Sequence, residues 1–161
     1  MRNQILKQSQ SGRTMLEMLG VLGIMGIIMY GAIAGINYGM STYKINQTYN
    51  EVQEAIQAIQ DLYSWNRRIY PTGEFTDKMC DNDIFTNCDG TQPKNPFGGD
   101  IKVEGIKDGD SFKVIYRSVE NADCNRLKEM EWGSVLMDEN SCSGTAVFCP
   151  KTRSGQTECS D

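Results

Sequence analysis

Glu17 is a single carboxylate near the start of an apolar run that covers residues 15–36. At membrane depth a carboxylate costs about 2.5–3.5 kcal/mol on insertion scales, so it requires a cationic partner. Cleavage after Gly12 would create a free α-amino group on Arg13, four residues before Glu17. We therefore predict that this amine neutralises Glu17, which would link processing of the chain to its self-association.

The remaining chemistry-bearing residues do not form a recognisable catalytic or metal site. The chain has no histidine, which removes the most common general base and metal ligand. Its cysteines form no Cys-x-x-Cys unit of the zinc-binding kind. The fragment Asp108-Gly109-Asp110 is too short for a calcium loop and is typical of a turn. We expect no enzyme activity, no metal and no cofactor.

Length and charge restrict the function further. With 161 residues, the chain has room for one modest domain beyond the apolar run. Its net charge is −5, and loss of residues 1–12 would leave 14 basic and 21 acidic residues, or −7. Because phosphate binding depends on positive charge, direct binding of nucleic acid is not expected.

The apolar run is long enough to cross a membrane, at about 33 Å for a helix against about 30 Å of hydrocarbon. Basic residues precede it at Arg2, Lys7 and Arg13, and the next one is Lys44. The positive-inside rule therefore places the leader in the cytoplasm and exports the remainder. An uncleaved signal anchor, in which Glu17 lies near enough to the headgroups to reach water, is the alternative. An i,i+4 pair with Arg13 in the same chain would also lower the cost of Glu17, and this pair can coexist with the pairing to an amine.

Glycines recur in two groups along and just beyond this run, three positions apart over residues 20–26 and four positions apart over residues 31–39. Such faces let membrane helices approach closely, although glycine is also simply tolerated in lipid. The candidate packing positions are Gly20, Gly23, Gly26, Gly31, Gly35 and Gly39.

Beyond the run, the pattern predicts that the same helix continues as an amphipathic segment over residues 38–70. Its apolar stripe follows steps of three and four and ends before the stop signal at residues 71–73, at positions Ile45, Tyr49, Val52, Ile56, Ile59 and Tyr63. We expect the stripe to pack on the chain's own C-terminal domain, and Trp65 and Trp132 to pack in the core or between helix and domain.

Residues 71–161 are predicted to form a globular head domain. Segments 101–104 and 111–117 alternate apolar and polar residues around a turn, which indicates an antiparallel hairpin, and residues 147–148 suggest another strand. Residues 121–130 predict a short helix with Asn121 as its cap and with buried positions at Ala122, Leu127 and Met130. The expected fold class is α+β, a small antiparallel sheet laid on the C-terminal half of the long helix.

The start of the chain resembles the leader motif of type IV pilins. The resemblance lies in residues 11–17, Ser-Gly-Arg-Thr-Met-Leu-Glu, and in the apolar run that follows them. The resemblance implies cleavage after Gly12 by a prepilin peptidase, methylation of Arg13, and pairing of Glu17 with the N-terminal amine of a neighbouring subunit. Arg13 stands where most relatives have Phe or Met. The short leader and residues 95–100, Asn-Pro-Phe-Gly-Gly-Asp, are most similar to type IVb pilins, including conjugative thin-pilus subunits.

This resemblance implies a filament subunit with a removed leader (1–12), a filament-core helix (13–37), its amphipathic continuation (38–70) and the head (71–161). The precursor would wait in the bacterial inner membrane with its head in the periplasm. An assembly platform and an ATPase would then pack it with copies of itself into an extracellular pilus. Relatives often carry a proline where this chain has Ala34, so Gly31 and Gly35 are candidates for local unwinding. A minor pilin, a type II secretion pseudopilin and a membrane-anchored exported enzyme are the alternatives.

All six cysteines lie in the part predicted to be exported, which favours three disulfide bonds. Six cysteines allow 15 connectivities, and spacing alone selects none of them. Our prediction pairs Cys80 with Cys88, Cys124 with Cys142 and Cys149 with Cys159. The second pair follows the resemblance to the bridge that closes the C-terminal region of type IVb pilins.

Overall fold

The predicted α+β fold, with one long helix, an antiparallel sheet and three disulfide bonds, is confirmed. The computed structural model describes residues 15–106, 109–138, 140–151 and 159. Helix α1 spans Met15–Leu62, 48 residues that contain no proline. The chain divides into two compact units between Met40 and Ser41, so α1 contributes residues to both.

The second half of α1 packs on the head through the predicted stripe. Ile45, Val52, Ile56 and Ile59 are buried, and Tyr49 and Tyr63 are partly buried against the same core. Apolar residues three and four positions apart lie on one helix face, which explains why this half is buried along a single stripe.

The helix ends earlier than predicted, at Leu62 and not at residue 70. A short 3₁₀ helix, Ser64–Asn66, follows, and then Arg67 and Arg68 adopt left-handed backbone angles with φ of 54° and 60°. This reversal places the buried ring of Tyr70 at 5.4 Å from the ring of Tyr63. Aromatic burial in the core therefore offsets a backbone cost of about 1–3 kcal/mol for each left-handed residue.

The head contains a five-stranded antiparallel sheet in the order β1-β4-β5-β7-β6. The strands are β1 (Gly73–Glu74), β4 (Ile101–Gly105), β5 (Phe112–Arg117), β6 (Val135–Met137) and β7 (Thr145–Pro150). The predicted hairpin is confirmed as β4 and β5, with Val103 opposite Val114. Residues 147–148 lie in β7, as predicted.

Several short elements were not predicted from the sequence. They are β1, helix α2 (Thr76–Asp81), the two-residue strands β2 (Cys88–Asp89) and β3 (Gln92–Pro93) of a separate ribbon, and β6. Strands of two or three residues are too short to show an alternation, and the six residues of α2 make fewer than two helical turns. They form because the larger sheet and the disulfide bonds hold their neighbours.

Helix α3 spans Asn121–Lys128, and its capping residue is Glu120, not Asn121 as predicted. No side chain caps it, and the Cys124 amide donates to the Glu120 carbonyl at 2.9 Å. Ala122 is exposed, contrary to the prediction, whereas Leu127 is buried as predicted. The helix is rotated so that Cys124 points inward to its disulfide partner, which turns Ala122 toward solvent.

Asn95 organises the loop that carries residues 95–100. Its amide nitrogen donates to the Arg117 carbonyl at 2.7 Å, and its oxygen accepts from the backbone amides of Phe97 and Gly99 at 2.9 and 3.1 Å. A side chain at Gly99 would collide with the Arg117 carbonyl. The Asn and Gly of this segment therefore have a structural role, which is to join the loop to the end of β5.

The three disulfide bonds join the pairs predicted: Cys80 to Cys88, Cys124 to Cys142 and Cys149 to Cys159. The first holds α2 against the β2–β3 ribbon, and the second ties α3 to the segment before β7. These two bonds thus tie short elements with few core residues of their own to neighbouring segments, and the third bond starts from Cys149 in β7.

Replacement of Cys124 and Cys142 together by alanine should lower the free energy of unfolding by about 2–4 kcal/mol, because the unfolded chain loses a restraint across 18 residues. Chemical denaturation of the full chain in detergent measures this. Removal of the Cys80–Cys88 bond, whose separation is 8 residues, is the matched control. By loop entropy it should cost about 0.7 kcal/mol less, and a larger loss there would contradict the prediction.

Candidate assembly surface

The first half of α1 has no cover within the described chain. Every residue from 15 to 40 is exposed, and the apolar side chains include Met15 at 86%, Leu16 at 82% and Tyr30 at 79% of their full accessibility. By length and composition this helix could cross a membrane. A continuous apolar surface of this size marks contact with lipid or with protein.

Glu17 lies in the first turn of α1 and is exposed. It is the only charged residue of α1 before Lys44, and among the described residues no cation lies within salt-bridge distance of it. Gly12 and Arg13, the predicted processing site and the predicted amine, lie outside the described residues. Cleavage, methylation and the pairing of Glu17 therefore stay predictions.

The six helix glycines have no packing partner in the described part of the chain. A methyl group added at each of them would meet no atom within 4 Å, and this holds for Gly20, Gly23, Gly26, Gly31, Gly35 and Gly39. No contact inside the described chain therefore requires glycine at these positions. Their use as helix-packing faces, and the unwinding at Gly31 and Gly35, stay predictions about the assembled state.

A polar cluster fixes α3 to α1 where the exposed half ends. Ser41 donates from its hydroxyl to Asp123 Oδ1 at 2.6 Å and accepts from Arg126 Nη1 at 2.8 Å. Arg126 Nη2 donates to the Thr42 hydroxyl at 3.3 Å. Sequence reasoning missed this cluster. The only signal was the change from apolar residues to Ser41-Thr42, and the partners come from a helix more than 80 residues away.

Two further side chains of α1 extend this attachment toward Trp132. Tyr49 donates from its hydroxyl to the Glu131 carbonyl at 3.1 Å, and Gln53 donates from its amide to the Trp132 carbonyl at 2.8 Å. The Trp132 ring lies 5.0 Å from the Tyr49 ring and is buried. Trp132 therefore packs between helix and head, as predicted, whereas Trp65 is exposed, contrary to the prediction.

Glu51 is a residue of α1 whose carboxyl group lies near Tyr116 of the sheet. Its Oε2 atom, the Tyr116 hydroxyl and the Thr48 hydroxyl are buried without a hydrogen bond of standard geometry within the described chain. Burial raises the pKa of Glu51 to about 7, the nearby Tyr116 hydroxyl opposes this rise, and the charge of Glu54 adds to it. The Tyr116 hydroxyl thus lies close enough to Glu51 to lower its pKa. The two groups do not meet hydrogen-bond geometry and form a polar contact.

All six cysteines are in disulfide bonds, which leaves no free thiol. The residues that the structure describes contain no group of three or more side chains suited to hold a metal ion. Asp108, part of the calcium-like fragment, lies outside the described residues.

Comparison with known proteins provides no relative: no protein-family model, curated protein or solved structure matches this chain. The function must therefore be inferred from the chain itself. The features that carry most information are the uncovered apolar half of α1, the isolated Glu17 within it and the disulfide-bonded head.

Replacement of Glu51 by glutamine should remove a pH dependence of stability. Because the pKa of Glu51 is raised from 4.5 to about 7 in the folded chain, its contribution is most favourable below pH 4.5 and is lost as pH rises to about 7. We expect the wild type to lose about 2 kcal/mol between pH 4.5 and 8 through this group, allowing for its partial exposure, and Glu51→Gln to lose less.

Thermal unfolding at both pH values measures this difference. Asp61→Asn removes an exposed carboxylate from the same helix and is the control that should keep the wild-type slope. An unchanged pH slope in Glu51→Gln would contradict the assignment.

Proposed function

We propose that the chain is the structural subunit of a filament of the type IV pilus kind, assembled through the first half of α1. The observation that carries the proposal is the exposure of every residue from 15 to 40 on a helix whose second half is packed on its own head. A structural subunit requires such an uncovered surface, whereas an enzyme anchored by a helix has no need for packing faces on the anchor.

The uncovered half of α1 is compatible with two environments. In a membrane the apolar side chains contact lipid, and in a filament they contact the same segment of other copies. Because both environments exclude water, a subunit can be stored in the membrane and then transferred into the filament. The glycine faces would allow close approach of the helices in the second environment.

In this packing, Glu17 selects the axial register between neighbouring helices. A lone carboxylate in an apolar helix bundle is costly, and the cost is relieved when a neighbouring copy brings a positive charge to it. In the proposed filament that charge is the N-terminal amine of Arg13, released by a prepilin peptidase that cuts after Gly12. Subunits whose axial register does not match would leave the charge unpaired, so the pair selects the register.

The proposed location is the inner membrane for the precursor, with the head in the periplasm, and the cell surface for the filament. Arg2, Lys7 and Arg13 lie on the leader side of the apolar run and the next basic residue is Lys44, which supports this orientation. Three disulfide bonds in the head support an oxidising compartment for that domain. The assembly platform and ATPase that drive polymerisation would be separate proteins.

Replacement of Glu17 by alanine should leave processing and membrane insertion intact but reduce fibre recovery at least about tenfold, because the register-selecting ion pair is lost. Shearing fibres from cells that carry the assembly machinery, together with blots of the membrane fraction, measures both quantities. Glu17→Asp keeps the charge and should retain part of the yield. Normal fibre yield from Glu17→Ala would refute the pairing.

Replacement of Gly12 by leucine should prevent cleavage, because the peptidase would have to accept a bulky residue at the cut. Intact-mass measurement of the membrane protein should then show the full chain in place of one shortened by 12 residues and methylated at Arg13. Gly20→Leu, eight residues further on, is the control and should be processed normally. A trimmed product from Gly12→Leu would place the cut elsewhere.

A further inference from the structure

The turn after α1 presents the most exposed aromatic side chain of the described residues. Trp65 keeps 96% of its full accessibility, and Leu62 and Ile69 beside it keep 40% and 51%. Beyond Tyr43, these are the only exposed large apolar side chains among the described residues. We call this surface, together with Arg67 and Arg68, the Trp65 turn.

The Trp65 turn is held in one conformation by backbone hydrogen bonds. The Arg68 amide donates to the Tyr63 carbonyl at 3.1 Å, and the Ile69 amide donates to the Asn66 carbonyl at 3.0 Å. Both arginines have left-handed backbone angles, and Arg67 is the capping residue at the end of the 3₁₀ helix, where this conformation is common. The chain thus fixes an exposed tryptophan outward instead of folding it into the core.

The two arginines make the Trp65 turn basic on a chain whose net charge is −5. Within the described residues, neither Arg67 nor Arg68 takes part in a salt bridge, and both are exposed. Tryptophan and arginine are the residues most enriched at the energetic centres of protein interfaces. A surface of this composition fits a partner that offers carboxylates.

The same chain carries an exposed acidic surface of this kind, around the Cys80–Cys88 disulfide bond. Asp81, Asp83 and Asp89 are exposed there, and no basic residue occurs between Lys78 and Lys94. Lys94 itself is bound to Asp100 at 2.6 Å. We call Asp81, Asp83 and Asp89 the acidic loop. Its disulfide bond and the hydrogen bond from the Asp83 amide to the Cys80 carbonyl, at 3.1 Å, give it a defined shape.

We propose that the Trp65 turn of one copy docks on the acidic loop of a second copy. The two surfaces are different parts of one chain, so the contact is heterologous, and the first copy keeps its acidic loop free while the second keeps its Trp65 turn free. Repetition of such a contact builds a ring where the rotation between copies closes and an open helical polymer where it does not, and the proposed filament requires the open form. The inference rests on the proposed function, since the filament brings heads into repeated contact, and it adds a head-to-head contact to the packing of the helices.

A charge-reversal experiment in the full chain tests the docking. Arg67→Glu with Arg68→Glu should reduce sheared fibre yield about tenfold, and Asp81→Arg with Asp83→Arg should do the same. Trp65→Ala should also reduce the yield. Glu120→Arg with Glu129→Arg reverses two exposed carboxylates elsewhere on the head and should assemble like the wild type. Disulfide content and membrane abundance of each variant establish that it has folded.

Co-expression of the two reversed chains provides the decisive measurement. Each reversed surface then meets its complement on the other chain, so an alternating fibre should recover to within about threefold of the wild-type yield. A single chain that carries all four reversals should recover as well.

Wild-type yield from either reversal alone, or no recovery in both rescue experiments, would overturn the docking. If Arg67→Glu with Arg68→Glu instead abolishes binding to phosphatidylglycerol vesicles while fibre yield is unchanged, the partner is an anionic lipid and the docking is wrong. Absence of fibres from the wild-type chain would overturn the proposed function itself.

Discussion

The requirement to cover the apolar first half of α1 governs the rest of the structure. Residues 15–40 present apolar side chains on all sides, and the described chain offers nothing to pack against them. A helix that is apolar on all sides must lie in lipid or among other helices. Glu17 interrupts this surface once. In the filament that we propose, its charge would act chiefly on the choice among possible packings, because a packing that brings no cation leaves the carboxylate without a partner.

The second half of α1 needs no cover from lipid or from other chains, because it packs on the head. Val52, Ile56 and Ile59 complete a core with the sheet, and the Ser41–Asp123–Arg126 cluster attaches α3 at the start of that half. The three disulfide bonds then hold the short elements that bring little core of their own. A single helix thus changes from uncovered to packed at residues 40–41. The partly buried Glu51 is the exception inside the packed half, where polar groups are left incompletely paired.

The fold was predictable wherever a periodic pattern was long. Burial could be predicted for the stripe from Ile45 to Ile59 and for the alternating residues of β4 and β5, because each pattern repeats several times along the chain. The end of α1 was not predictable, since no glycine or proline occurs between Leu62 and Tyr70. The turn that ends the helix brings the ring of Tyr70 to 5.4 Å from the ring of Tyr63, a contact that only the folded core defines. The predicted burial of Ala122 was wrong for a related reason, namely that the Cys124–Cys142 bond sets which face of α3 points inward.

For the candidate surface, the sequence alone was sufficient to identify the apolar run, its lone carboxylate and its glycine spacing, because these are properties of neighbouring residues along one helix. Only the tertiary structure decided that residues 15–40 are left uncovered, that Trp65 points outward while Trp132 is buried, and that Ser41 meets a helix more than 80 residues away. Exposure depends on what the remainder of the chain brings to a position. Exposure is therefore a long-range property, and the spacing of neighbouring residues does not predict it.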